Sequence, residues 1–181
     1  MNTNKLPRVI DVGCGPGIYV EALRNAGMDA IGVDPDPSCP YDRVNVFSPD
    51  FDKYTGYDLC VCLEVAEHID EEFAEKFVQQ LVKTAPAILF SAALPGQGGH
   101  GHINCQPKEY WAHNFARQNY VLDEDAVTRL TGFMRTGYHM GWFVNNVQVF
   151  RQYGAVCFER IRQEEMPQAV RLADYIRAGM L

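Results

Sequence analysis

The chain has 181 residues and a mass of 20.4 kDa, the size of one domain whose core is large enough to need neither disulfides nor a structural metal. Hydrophobic residues make up 47% and charged residues 22%, the composition of an ordinary globular protein and not of a disordered chain. A formal net charge of −7 sets the average surface against phosphate backbones, and the densest basic stretch, Arg160, Arg162 and Arg171, is interleaved with Glu159, Glu164 and Glu165 as on a solvated helix face, so nucleic acid is a disfavoured partner.

Met1 to Pro7 is too short and too polar for a signal peptide, and no apolar run approaches a membrane span, so no membrane contact and a cytoplasmic location are expected. Arg8 to Val12 then reads as a short buried strand that stops at Gly13-Cys14-Gly15-Pro16-Gly17. Ile18 to Ala26 carries Ile18, Ala22, Leu23 and Ala26 at helical spacing, with Gly27 where a helix end favours positive φ. Ala30 to Val33 is a second strand ending at Asp34, and the Pro-rich loop Pro35 to Pro40 follows.

Arg43 to Phe47 is expected as a third strand, and Leu59-Cys60-Val61-Cys62-Leu63 as a fourth, apolar throughout like a central parallel strand. Asp70 is placed to cap a helix with an acidic first turn, Glu71 and Glu72, and a buried face of Phe73, Phe77 and Leu81. Ala87 to Phe90 is the next strand. A Gly-rich loop runs from Ala93 to Gln106, and Pro107 opens a helix at its first position with Trp111 and Phe115 one turn apart on a core face. Asn146 to Phe150 alternates as a late strand would, in antiparallel pairing. Six cysteines occur, but Cys14, Cys60 and Cys62 sit in a turn and a strand core, where cysteine behaves as a small hydrophobe, so no disulfide framework is expected.

This alternation predicts an α/β fold: a Rossmann-like, mostly parallel, doubly wound sheet with a late antiparallel strand. One domain is expected over residues 1–181, with a core at 8–152 and a C-terminal helical extension at 155–181. Ligands of open α/β sheets bind at the carboxyl ends of the strands, which directs attention to the glycine turn and to Asp34. The glycines let backbone approach a ligand closely, and the Asp34 carboxylate suits the vicinal hydroxyls of a ribose. The spacing is G-x-G-x-G, with Ile18 where the third glycine of a dinucleotide fingerprint would fall, which disfavours pyrophosphate.

VIDVGCGPG resembles the first motif of class I S-adenosylmethionine-dependent methyltransferases, IGVDPD resembles the second, and LCVCLEVAEHI is similar to their fourth-strand motif. The segments LPGQGGHGHINCQPKEYW and FVNNVQVFRQ further resemble a subgroup of small bacterial and viral members, so the likeness runs from Arg8 to about Gln152. It implies S-adenosylmethionine as cofactor, with S-adenosylhomocysteine as product. It also implies that Asp11, Gly13, Cys14, Gly15 and Gly17 wrap the methionine moiety, that Asp34 holds the ribose, that Pro35 lies against adenine, and that Glu64 and Val65 flank the cofactor from the other side. In place of the acid that often follows the third strand, this chain reads Val46-Phe47-Ser48-Pro49-Asp50, and a backbone group near Phe47 is expected to meet the adenine amino group.

Methyl transfer from a sulfonium requires alignment and exclusion of water, and a base only where the acceptor must lose a proton. Glu64, Glu67, His68, His100, His102 and Asn104 are the candidates after the later strands. His102 ranks first, because histidine titrates near neutrality and its Gly-rich loop should overhang the methyl group; His68 reads as a buttress, and Glu64 is the second catalytic candidate. No metal is expected: His100, His102 and Cys105 lack the paired spacing of a zinc site, and Glu64 with Glu67 is a poor substitute for a carboxylate cluster. Gly137 to Trp142, with Tyr138, His139 and Met140, is a lid candidate.

The favoured reading is methylation of a small-molecule or glycan hydroxyl. Alternatives are a protein or nucleic-acid acceptor, and a cofactor-fold domain that serves as partner or activator. Leu63-Glu64-Val65-Ala66 lacks the Asn/Asp-Pro-Pro-aromatic motif of amino methyltransferases of nucleic-acid bases. Because the first strand starts almost at residue one, a homodimer or a partner subunit is expected to supply a wall of the acceptor site.

Overall fold

The apolar run at Arg8–Val12 forms β1, and its last four residues are all buried, as a strand covered on both faces requires. In the computed structural model, which describes residues 6–135 and 141–154, it is followed by α1 (Ile18–Asn25), β2 (Asp29–Val33), β3 (Leu59–Leu63), α2 (Ala74–Thr84) and β4 (Ala87–Ser91). Then come α3 (Lys108–Ala116), β5 (Tyr120–Leu122), α4 (Glu124–Arg135), α5 (Gly141–Asn146) and β6 (Gln148–Gln152). The strands make one sheet in the order β2-β1-β3-β4-β6-β5. It is parallel from β2 to β4, and β6 runs antiparallel to both of its neighbours. The Rossmann-like fold that the alternating pattern predicts is therefore the one observed, late antiparallel strand included.

Strand periodicity of two sorts the core into two layers. Ile10, Cys60, Cys62, Ile88 and Phe90 face α2 and α3, whereas Val9, Val61 and Leu63 pack with Val20 of α1 and Phe143 of α5. The first layer is aromatic at its far end: Phe115 of α3 stacks on Phe150 of β6 with ring centroids 3.9 Å apart, and Phe90 meets Trp111 at 5.4 Å. From β1 the chain moves outward to β2 and then returns to the opposite side of β1 as β3, so the strand order reverses at β1. The carboxyl ends of β1 and β3 diverge at that point and leave a crevice between them.

Several elements differ from the sequence expectation. Residues 43–47 form no strand, and only an isolated Val33–Asp42 bridge extends the sheet there. Side chains satisfy the backbone locally instead: Asn45 Oδ1 accepts from the Phe47 amide at 2.8 Å and Ser48 Oγ from that of Asp50 at 3.2 Å, bonds that compete with a ladder. The run Leu59–Leu63 is consequently the third strand in sequence, not the fourth. Asp70 makes no side-chain cap bond, because a 3₁₀ turn at Glu71–Phe73 precedes α2. Phe73 is accordingly 41% exposed while Phe77 and Leu81 are fully buried.

Pro107 stands one residue before its helix in extended conformation. Asn146 ends α5, so the last strand starts only at Gln148. Nothing in the sequence pattern announces β5, α4 or α5. The Asp123 side chain caps α4 through the Ala126 amide and pairs with Arg151 of β6. Among the described residues no helix is long and apolar enough to cross a membrane. The proposed C-terminal extension, its Arg160, Arg162 and Arg171 face, and Tyr138, His139 and Met140 lie outside the described residues.

Phe150 joins the aromatic stack to the strand that holds β5 and β4 together. Phe150→Ala is expected to cost about 3–5 kcal/mol, measured as a fall in the urea midpoint at unchanged slope.

Candidate active site

At the end of β1 the chain must turn sharply and still let β3 emerge beside it. Gly13, Gly15 and Gly17 all adopt positive φ, at 78°, 50° and 84°. A Cβ on Gly13 would stand 2.4 Å from Cγ2 of Val65, and one on Gly17 would stand 2.1 Å from the Tyr41 ring, so neither position admits a larger residue without displacement. The turn is stitched to β2 by the Gly13 amide, which donates to the Val33 carbonyl at 2.8 Å. Asp34 completes the brace: Oδ2 accepts from the Gly15 amide at 2.9 Å and Oδ1 from the Asp36 amide at 2.8 Å. Beneath the turn Asp11 is 1% exposed, and its Oδ2 has no hydrogen-bond partner among the described residues.

Across the crevice, Glu64 leaves β3 in a left-handed conformation with φ 56°, and its amide donates to the Ser91 carbonyl at 3.0 Å. Its carboxylate receives Asn146 Nδ2 at 3.3 and 3.4 Å, and the same amide nitrogen donates to Gln97 Oε1 at 3.0 Å. A 3₁₀ turn at Ala66–His68 follows. The carbonyl of Glu67 accepts from the amides of Ile103 and Asn104 at 2.9 and 3.0 Å, which pins the Gly-rich loop over the tip of β3.

Glycines of that loop give way to histidines. A Cβ on Gly99 would stand 2.2 Å from the His102 ring, and His68 Nδ1 lies 3.0 Å from the Gly101 carbonyl oxygen. The two imidazoles meet edge to face with centroids 5.1 Å apart. His102 Nδ1 faces the Gln97 carbonyl at 3.4 Å, and its Nε2 stands 3.9 Å from Oε1 of Glu67. Glu67 is fully buried with neither carboxylate oxygen hydrogen-bonded among the described residues. Burial first, and the neighbouring Glu64 carboxyl after it, push its carboxyl up to about 7 against the opposing pull of the Glu67 and Ala93 backbone amides.

A cavity of about 590 Å³ lies between the two walls, lined by Gly13, Cys14, Gly15, Tyr19, Glu64, Glu67, His68, Gln97, His102 and Trp142 among others. Of the residues singled out in the sequence, Gly13, Cys14, Gly15, Glu64, Glu67, His68, His102 and Trp142 therefore line one space. Asp11, Gly17, Asp34 and Val65 form the frame behind it. Pro35 is exposed on the loop after β2, and the Phe47 ring packs with Phe73 and Phe77 at centroid distances of 5.7 and 6.3 Å instead of lining the cavity. His100 is exposed. Sequence reasoning missed Gln97, Asn146 and Tyr19. A lone glutamine between glycines was the only signal for Gln97, and nothing local marked Asn146, 82 residues from the Glu64 that it touches.

Residues 2–125 match the family described as a methyltransferase domain. Over 120 residues the chain is 28% identical to a ubiquinone biosynthesis O-methyltransferase of Acinetobacter baumannii (strain AYE), covering 57% of this chain and 46% of that protein. The chain thus spans about half the length of the curated relatives it matches. The sugar N-methyltransferase KedS8 from Streptoalloteichus superposes with a TM-score of 0.61 at 13% identity, over 81% of this chain and 80% of that one. PKMT2 from Rickettsia typhi, solved in complex with AdoHcy, gives 0.57 at 12% identity, over 88% and 52%. At these identities the likeness to the solved structures is one of fold.

The buried Asp11 has a consequence for stability. Burial, and then the charge of Asp34, push its carboxyl from the ordinary 3.8 up to about 8. Between those values the folded chain keeps a proton that the unfolded chain has released, so stability falls as pH rises from about 4 to about 8 and levels off above. Urea midpoints of the ligand-free protein are expected to drop between about pH 5 and about pH 8, and Asp11→Asn should flatten that slope.

Proposed function

Because this chain belongs to the class I S-adenosylmethionine-dependent methyltransferase superfamily, within the methyltransferase-domain family matched by residues 2–125, we propose that it methylates a hydroxyl group of a small molecule or glycan. Two features of the site fit the cofactor. The buried, unpartnered Oδ2 of Asp11 suits an ammonium group, which would relieve an isolated buried carboxylate. At Gly15 a Cβ would meet nothing within 4 Å, so the inner side of the turn is an open cradle.

Gly13, Cys14, Gly15 and Gly17 would hold the methionine portion, with Asp11 below it. Asp34 would take the ribose hydroxyls and Pro35 the adenine face, with a backbone group near Phe47 at its amino group. Glu64 and Val65 would close the opposite side. When bound, S-adenosylmethionine supplies a methyl group on a positively charged sulfur, activated for displacement by a lone pair of the acceptor.

The chain's own part is placement and proton handling. The Gly-rich loop, pinned by the Glu67 carbonyl, shields the cavity from water. His102 presents Nε2 on the acceptor side, where its lone pair can take up the proton that a hydroxyl acceptor sheds, with the buried Glu67 carboxyl 3.9 Å behind it. Glu64, oriented by Asn146, offers an acceptor for the substrate's other hydroxyls. The observation that carries this reading is a single cavity with the glycine turn on one wall and His102, Glu64 and Gln97 on the other, its volume within the range of small-molecule sites. The net charge of −7 weighs against a polyanionic acceptor.

Calorimetry with S-adenosylhomocysteine is expected to show saturable binding, weakened by about tenfold or more in Asp34→Ala; absence of heat with the wild-type protein refutes the reading. With hydroxylated metabolites and sugars as acceptors, His102→Ala should lower kcat by about 10²–10⁴ while leaving affinity for S-adenosylhomocysteine unchanged. Labelled methyl groups that appear only on RNA or protein would exclude the small acceptor.

A further inference from the structure

The geometry points to a divalent transition-metal site formed by Glu67, His68 and His102 at the acceptor end of the cavity. One ligand atom from each of the three residues lies within 4.8 Å of the others. Two imidazoles and one carboxylate are a donor set that suits first-row divalent cations and leaves further coordination positions open. Ligands bound at about 2.1 Å stand roughly 3 Å apart around an octahedral or tetrahedral ion. Modest rotation of these side chains therefore closes the site.

Two independent features support a cation here over a purely structural cluster. The carboxylate of Glu67 is fully buried without a well-formed hydrogen bond to either oxygen among the described residues, its ion-pair contact with His102 Nε2 being a long 3.9 Å, a costly arrangement that a bound cation relieves. Both histidines are also oriented as ligands usually are. His68 Nδ1 faces the Gly101 carbonyl at 3.0 Å and His102 Nδ1 faces the Gln97 carbonyl at 3.4 Å. With Nδ1–H donated to each carbonyl, both Nε2 lone pairs are free, the arrangement in which an outer hydrogen bond fixes tautomer and ring direction. All three side chains border the same cavity as the glycine turn.

The sequence expectation of no metal rests on His100, His102 and Cys105 and on Glu64 with Glu67, taken as separate groups. The fold draws on a different set, joining half-buried His102 to an exposed histidine 34 residues and a buried glutamate 35 residues before it in the chain. The role assigned to the cation rests on the methyl-transfer reading, although its binding does not. Coordinated to an acceptor hydroxyl, the ion would hold that oxygen at the cavity and lower its pKa; the proton passes to solvent, the O–H electron pair stays on oxygen and forms the bond to the methyl carbon, and the methyl–sulfur bond breaks with its pair going to sulfur, which leaves as S-adenosylhomocysteine. Proton uptake and metal binding are alternative uses of the same His102 lone pair.

The test is titration of chelator-treated protein with Co²⁺, followed by its ligand-field absorption, without cofactor. About one equivalent should bind saturably, with a spectrum that shifts on addition of a catechol or other hydroxylated acceptor. Glu67→Gln and His102→Ala should each weaken binding by more than about tenfold, whereas His100→Ala should not. S-adenosylhomocysteine affinity and the urea midpoint of each variant report that it has folded. Absence of saturable Co²⁺ binding overturns the site, as does unchanged affinity in folded Glu67→Gln and His102→Ala. Co²⁺ binding without any affinity for S-adenosylhomocysteine upholds the site and refutes the methyl-transfer reading instead.

Discussion

The close approach of Val65 to the backbone of Gly13 is the constraint on which the site depends. β1 and β3 are hydrogen-bonded neighbours up to Asp11 and Val61, yet beyond them the two chains must part around a ligand. The only way for the chain after β3 to cross so near the first turn is for residue 13 to have no side chain, since a Cβ there would overlap Val65. Once that contact is made, the Gly13 amide reaches the Val33 carbonyl and the Gly15 amide reaches Asp34. Three adjacent strand ends are thereby locked into one rigid floor, and preorganised backbone needs no reordering when a ligand arrives.

The opposite wall is held by different physics. Its Gly-rich loop contains no helix or strand, so its shape comes from the paired amides of Ile103 and Asn104 on the Glu67 carbonyl and from the Asn146 bridge between Glu64 and Gln97. The glycines there serve the histidines: His102 lies where a side chain on Gly99 would be. Residue 67 thus works twice, its backbone tying down the loop and its carboxylate remaining buried without a hydrogen bond. Such a group is expensive to keep, and folds retain it where a proton, a cation or a substrate makes use of it.

Both walls carry a buried carboxyl raised by desolvation, Asp11 up to about 8 and Glu67 up to about 7. The cause is the same in the two cases, but the settings differ. Asp11 sits beneath the glycine turn beside the charge of Asp34, where a cationic ligand group would draw it back toward ionisation. Glu67 sits beside the imidazoles of His68 and His102 on the opposite wall. A positive charge bound near Asp11 would therefore couple to loss of its proton.

Much of this was legible in the residues themselves. A continuous apolar run such as Leu59–Leu63 can only be a covered strand, glycines immediately after Arg8–Val12 mark a turn that backbone must approach closely, and an acid at the next strand's tip belongs to the same floor. Those inferences rest on local sterics and periodicity, which sequence carries directly. The strand expected at 43–47 failed because Asn45 and Ser48 satisfy nearby amides, a competition that β-propensity does not register, and Phe73 left the core because a 3₁₀ turn rotated it away from the face of Phe77 and Leu81. Only the tertiary structure could join Glu67 and His68 to His102, or Asn146 to Glu64. Those meetings are decided by where loops and a late antiparallel strand come to rest on the sheet, and contacts between residues tens of positions apart leave no local pattern in the chain.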